Sequence, residues 1–187
     1  MVHFKAHVAA LAAMTVLGLS GVASAQTVIS TYTDIDLDTC TVVSADDFGA
    51  TWACPGYKGI PVMIGEGDLR FFVSYGLTST TERAAEQTLP PFNHLGQRIE
   101  WRIGNVAGEI TPFATILRFF VARPDGEEGE GQVLVVTRLG PGATCHVAYV
   151  DALANPDANE LARKAADAAR DFDCAKEPEI IGEFAAW

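Results

Sequence analysis

Histidine is scarce in this chain of 187 residues, and beyond residue 25 only His94 and His146 remain. No G-x-S-x-G elbow and no H-E-x-x-H pair occurs, so neither the serine-hydrolase nor the zincin pattern is present. No Walker-type or G-x-G-x-x-G loop precedes a helical stretch, which argues against a nucleotide cofactor. His146 follows Cys145, and neighbouring residues of a strand point to opposite faces, so the two do not converge on a metal or form a nucleophile pair. It reads as a core-edge or surface histidine. His94, in "PPFNHLG", reads as a loop residue with no base or nucleophile beside it. The sequence thus names no catalytic residue, no metal ligand set and no cofactor, and a binding role is favoured over an enzyme.

Basic residues are also few, 13 against 24 acidic ones. A surface of that sign repels phosphate backbones and anionic headgroups, which excludes nucleic acid as a favoured partner and leaves basic proteins and cations. Long apolar runs are missing too. Residues 8–19 are apolar but too short for a bilayer core, which needs about 20 such residues. With Lys5 before them and Ala23-Ser24-Ala25 after, they read as a secretory leader occupying residues 1–25. No cysteine follows the small-residue site directly, which disfavours a lipid anchor, and no later apolar run is long enough for stable membrane insertion. The expectation is a periplasmic or secreted protein starting at Gln26, 187 − 25 = 162 residues long, with a formal charge of (13 − 1) − 24 = −12. That length suits a single globular domain; the oligomeric state is left open.

Cys40, Cys54, Cys145 and Cys174 form an even set, which in an exported chain means disulfides. Three pairings exist, and closure of local loops favours Cys40 with Cys54 and Cys145 with Cys174.

Strand patterns dominate to about residue 151. "IPVMI" (60–64) and "DLRFFVSYG" (68–76) are predicted to pair through a turn at Gly65-Glu66-Gly67. "QRIEWRI" (97–103) alternates Ile99, Trp101 and Ile103 with Arg98, Glu100 and Arg102, so one face is core and the other wet. "FATILRFFVAR" (113–123) and "GQVLVVTRL" (131–139) flank a Pro124-Asp125-Gly126 turn, and "TCHVAYVD" (144–151) ends the run. Ser79-Thr80-Thr81-Glu82 has capping-box spacing and predicts a short helix toward Leu89, stopped by Pro90 and Pro91. A second helix opens at Asn155-Pro156, with Ala158, Leu161, Ala162, Ala165, Ala169 and Phe172 on one face. Its polar side offers i,i+4 pairs, Glu160 with Lys164 and Arg163 with Asp167. The fold class is α+β: an antiparallel meander or curved sheet, a short helix, a docked C-terminal amphipathic helix and two disulfides.

Two stretches are candidate binding surfaces. In "TYTDIDLDTC" (31–40) a calcium loop starting at Asp34 would need glycine sixth and glutamate twelfth, where Thr39 and Ala45 stand. In an extended chain, Asp34, Asp36 and Asp38 share one face while Ile35 and Leu37 take the other. An acidic edge strand, a patch for a basic partner, and a non-EF calcium site with Asp46 or Asp47 remain open. The acids Asp125, Glu127, Glu128 and Glu130 read as a solvated hairpin tip. In "WACPGYKG" (52–59), Pro55-Gly56 suits a type II turn whose base a Cys40–Cys54 bridge would hold. Tyr57 and Lys58 would stand on that turn as contact residues, replaceable by alanine without loss of stability; the alternative is local packing of Tyr57, with Trp52 over the disulfide. Carboxylate pairs for glycan hydrolysis could come from Glu66, Asp68, Glu82, Glu86 or Glu100.

The segments "DLDTC", "WACPGYKGIPV", "EGDLRFFVSYG", "PFATILRFFVAR" and "CHVAYVDALANPDAN" together resemble exported proteobacterial proteins of uncharacterised function. The resemblance implies a bacterial envelope protein and carries over no catalytic residue. In general build, small, disulfide-bonded and β-rich, the chain is also similar to periplasmic lysozyme inhibitors, which implies a basic envelope or cell-wall-hydrolase partner.

Overall fold

The structure is a computed structural model that describes Met1, residues 27–124 and residues 128–187. The leader and its cleavage site, and Asp125 and Glu127 of the acidic tip, lie outside the described residues. Among the described residues ten strands form two sheets. The larger has the order β1 (Ile29–Asp34), β6 (Asn93–Val106), β7 (Glu109–Ala122), β8 (Glu130–Arg138), β9 (Cys145–Asp151) and β10 (Glu179–Ile181). The smaller runs β2 (Thr41–Asp46), β3 (Gly49–Pro55), β4 (Pro61–Gly67) and β5 (Arg70–Tyr75). All pairings are antiparallel except β9 with β10. One α-helix among the described residues, α1 (Ala158–Ala168), completes an α+β fold with disulfides Cys40–Cys54 and Cys145–Cys174. The bridges fit an oxidising, extracytoplasmic compartment. Among the described residues no helix is long and apolar enough to cross a membrane.

The central sheet carries a core on each face. Ile99, Trp101 and Ile103 of β6, with Leu117, Phe119 and Val121 of β7, meet Val62, Ile64, Val73 and Tyr75 of the small sheet. On the other face Ala114, Ile116, Leu134 and Val136 receive Ala158, Ala162, Ala166 and Ala169. Small side chains let the helix lie close to the strands, and Ala166 extends the predicted apolar stripe.

Five local expectations change. The predicted turn at Gly65–Gly67 is strand; the chain turns at Asp68 and Leu69, with φ of 51° and 57°. That is the left-handed pair of a type I′ hairpin, held here without glycine by Arg70, which bonds the Asp68 carboxylate, and by Glu66, which accepts from Leu69 N–H at 3.2 Å. Pro55-Gly56 forms no type II turn: Pro55 pairs with Pro61, and the reversal falls at Tyr57–Gly59 with Lys58 at φ 49°. The predicted helix after Ser79 is present as two 3-10 turns, Ser79–Thr81 and Arg83–Glu86, broken at Glu82. Glu82 does not close a capping box; it accepts from Thr78 Oγ1 (2.6 Å), Gly142 N–H (2.7 Å) and Thr144 N–H (2.9 Å), which fastens the β8–β9 connection. Burial raises its pKa, yet these three bonds prevail and hold it below the usual carboxylate range.

The fourth change concerns the face of β6 expected to be wet. Glu100 and Arg102 are each 8% exposed, because α1 covers them. Arg102 forks onto Asp167, with Nε to Oδ1 and Nη2 to Oδ2 both at 2.8 Å. Arg163 donates to Glu100 at 2.7 and 3.1 Å, and Ser30 links Arg102 to Glu100. Arg163 and Asp167, expected to pair with each other along the helix, therefore pair across to the sheet. Burial pushes the Glu100 carboxyl upward, but the hydrogen bonds from Arg163 and Ser30 and the two guanidinium charges bring it below its ordinary value. Fifth, Asn155 does not cap α1. Its amide donates to Asp151 O and Glu183 O and accepts from Glu183 N–H, clamping the C-terminal segment.

Candidate functional site

Asp34 ends β1, and the chain does not stay extended through Asp38. Ile35 still donates to Gln97 O at 2.8 Å, but Asp36 Oδ1 accepts from Asp38 N–H (3.1 Å) and caps a 3-10 turn at Leu37–Thr39. Aspartate favours such turns over strands. The expected single acidic face is thereby divided: Asp34 and Asp36 enter one cleft, and Asp38 points elsewhere on the exposed turn leading to β2.

That cleft, about 860 Å³, lies between residues 34–37, residues 94–98 of β6, and Phe71. It exists because β6 slips register against β7 between Leu95 and Ile99. Gly96 permits the crossing: a Cβ there would sit 3.1 Å from both Arg118 Cβ and Arg118 O. Next to it is a second cavity of about 570 Å³ with Trp52, Phe92 and Phe120 in its walls and Glu66 and Glu130 among its polar groups. Phe71 and His94 line both.

His94 is a strand residue rather than a loop residue. Its ring stacks on Phe120 (centroids 4.8 Å apart, planes at 12°) and its Nε2 lies 3.0 Å from Glu130 Oε1. No local pattern announces this pair, since 36 residues separate the partners and the β6–β7–β8 register joins them. Arg98 bonds Asp34 at 3.2 Å on the cleft rim. The two neighbouring cavities thus carry the carboxylates of Asp34, Asp36, Glu66 and Glu130 against the single guanidinium of Arg98. Neither is lined by Ser, Thr, Cys or Lys among the described residues.

Tyr57 and Lys58 do not line this cleft. Tyr57 is half-buried, with its ring centroid 6.3 Å from that of Trp101, and the Lys58 ammonium lies 5.4 Å from the Tyr57 ring centroid. Trp101 itself donates to Thr33 Oγ1 at 2.8 Å and meets Tyr75 edge-on. Gly56 fits because a Cβ there would reach Trp101 at 2.8 Å. Tyr57 thus closes one end of the core. Tyr57→Ala is expected to cost about 1–2 kcal/mol in urea denaturation, not to be neutral; a midpoint equal to wild type would show the ring to be a surface group.

Of the remaining acids, Glu82 and Glu100 are engaged structurally, Asp68 pairs with Arg70, Glu86 is exposed and Glu66 alone reaches the cavity. Asp46 Oδ1 accepts from the amides of Phe48 and Gly49, and among the described residues no three His, Cys, Asp or Glu side chains converge as a metal site. His146 is buried in the core, with its pKa lowered to about 3 by burial and its Nδ1 2.9 Å from Tyr149 Oη. The fold defines a two-sheet, helix-covered, disulfide-bonded α+β protein with an acidic cleft at the β1–β6 corner. No family model, curated protein or solved structure matches the chain.

Proposed function

We propose that this is a non-catalytic binding protein of the periplasm or extracellular space that takes a cationic segment of an envelope protein into the cleft beside His94. The observation that carries the reading is that two cavities sharing the walls Phe71 and His94 hold four carboxylates and several aromatic rings against one guanidinium. Lysine and arginine side chains have apolar stems and charged heads, and aromatic faces with nearby carboxylates suit both parts. The formal charge of −11 on the whole chain steers cationic partners toward it.

The test is capture of envelope proteins on the oxidised chain. A basic protein is expected to be retained at low salt, released at high salt, and held at least tenfold more weakly by Asp36→Asn/Glu130→Gln. Tyr57→Ala/Lys58→Ala serves as bait altered away from the cleft. Retention unchanged by the cleft substitutions would remove the cleft from the site. One observation favours a second reading, an envelope glycan hydrolase: Glu66 and Glu130 line the same aromatic cavity. Turnover of peptidoglycan abolished by Glu66→Gln or Glu130→Gln would replace the binding reading.

A further inference from the structure

The two outer edges of the small sheet are treated differently. Along β5, the segment 88–93 meets the strand: Thr88 donates to Phe71 O (2.6 Å), Asn93 Oδ1 accepts from Phe71 N–H (3.0 Å) and Asn93 N–H donates to Leu69 O (3.0 Å). Along β2, β3 is the neighbour on one side and among the described residues no element covers the other. All six residues of β2 are exposed, Val42 and Val43 at 57% and 56%. An edge of this kind ordinarily carries lysine or proline to prevent pairing. β2 has neither, and its one protective feature is the bulge that leaves Val43 without a Cα partner. The Cys40–Cys54 bridge anchors the start of the strand to β3, so little conformational freedom is left to lose on docking.

We propose that β2 is a docking edge for an extended basic segment of a partner protein, which adds to the small sheet as a fifth strand. Main-chain hydrogen bonds supply the affinity in strand addition, and alternate side chains supply the selectivity. Here Val42 and Val43 offer apolar contact, while Asp38 before the strand and Asp46 and Asp47 at its end, all exposed, favour lysine or arginine near the ends of the added segment. The same acids argue against a second copy as occupant, because antiparallel pairing of two β2 strands would bring Asp38 of one toward Asp46 and Asp47 of the other. The proposed function supplies the sign of the partner's charge; the surface is separate from the cleft.

The probe is a labelled peptide, Lys-Val-Thr-Val-Thr-Lys, with Glu-Val-Thr-Val-Thr-Glu as its counterpart, followed by anisotropy and by amide hydrogen exchange. The basic peptide is expected to bind saturably, to weaken with salt and to slow exchange within residues 41–46. Val43→Pro, at the unpaired bulge residue, should weaken it at least tenfold with an unchanged melting temperature. Asp38→Lys/Asp47→Lys, which spares the Asp46 turn, should reverse the preference between the peptides, so the proposal does not depend on one variant folding. Asp36→Asn/Glu130→Gln should leave this binding intact, so the cleft can fail while the edge stands. Equal binding of both peptides, protection at residues 94–98 instead of 41–46, or a dimer abolished by Val43→Pro would each overturn it.

Discussion

Replacing Arg102 by alanine is expected to lower the unfolding free energy by roughly 2–3 kcal/mol, below the range for breaking a fully buried ion pair because the Asp167 side chain is 39% exposed. The Arg102 side chain is 9% exposed and that of Glu100 10%, and Glu100 keeps both bonds from Arg163 when Arg102 is lost. Removal deprives both oxygens of the partly exposed Asp167 carboxylate of their guanidinium donor and takes a positive charge from beside Glu100. Arg102→Met combined with Asp167→Leu should cost less than Arg102→Ala alone, since no unpaired acid remains at Asp167. The pH dependence follows from the direction of the Glu100 shift. Its folded pKa lies below the unfolded value of about 4.3, so its contribution is complete above that value and fades as pH falls through the lower folded one. The difference between wild type and Arg102→Ala should therefore be larger at pH 7 than in acid. A cost below about 1 kcal/mol at pH 7 would mean that the network behaves as a solvated surface pair.

That network also marks where local sequence reading stops. The alternation of Ile99, Trp101 and Ile103 correctly gives a strand with one core face, because burial of that face is written at period two. The same alternation makes Glu100 and Arg102 look wet, and only the arrival of Arg163 and Asp167 from more than 60 residues away turns them into a buried layer. The disulfide pairing was legible from loop length, and α1 from its alanine stripe. Asp36 and the Asp68–Leu69 turn were not: in both, a side-chain bond replaces the backbone signal that glycine or unbroken alternation would have provided. The cleft was half legible. Asp34 and Asp36 stood out as acids, but His94, Glu130 and Phe120 meet only through strand register and a bulge.

Removing the Cys145–Cys174 bridge, as Cys145→Ala/Cys174→Ala, should be the other large loss. A separation of 29 residues predicts ~3–4 kcal/mol from the regained freedom of the unfolded chain, or a melting temperature lower by roughly 10 °C for a chain of this size. The bridge ties the segment after α1 to the first residue of β9, with Cys145 fully buried. Some docking should survive, because Arg83 still reaches Cys174 O and Glu177, and Arg138 still reaches Phe172 O. Hydrogen exchange should then show α1 amides opening before those of β7 and β8. The Cys40–Cys54 bridge closes a separation of only 14 residues and should cost less, ~3 kcal/mol. The ordering of the two double variants is the decisive readout: a larger loss at Cys40–Cys54 would show that native-state packing around the small sheet, not unfolded-chain entropy, governs what each bridge contributes. It would also mean that β2 depends on its anchor to remain a formed edge.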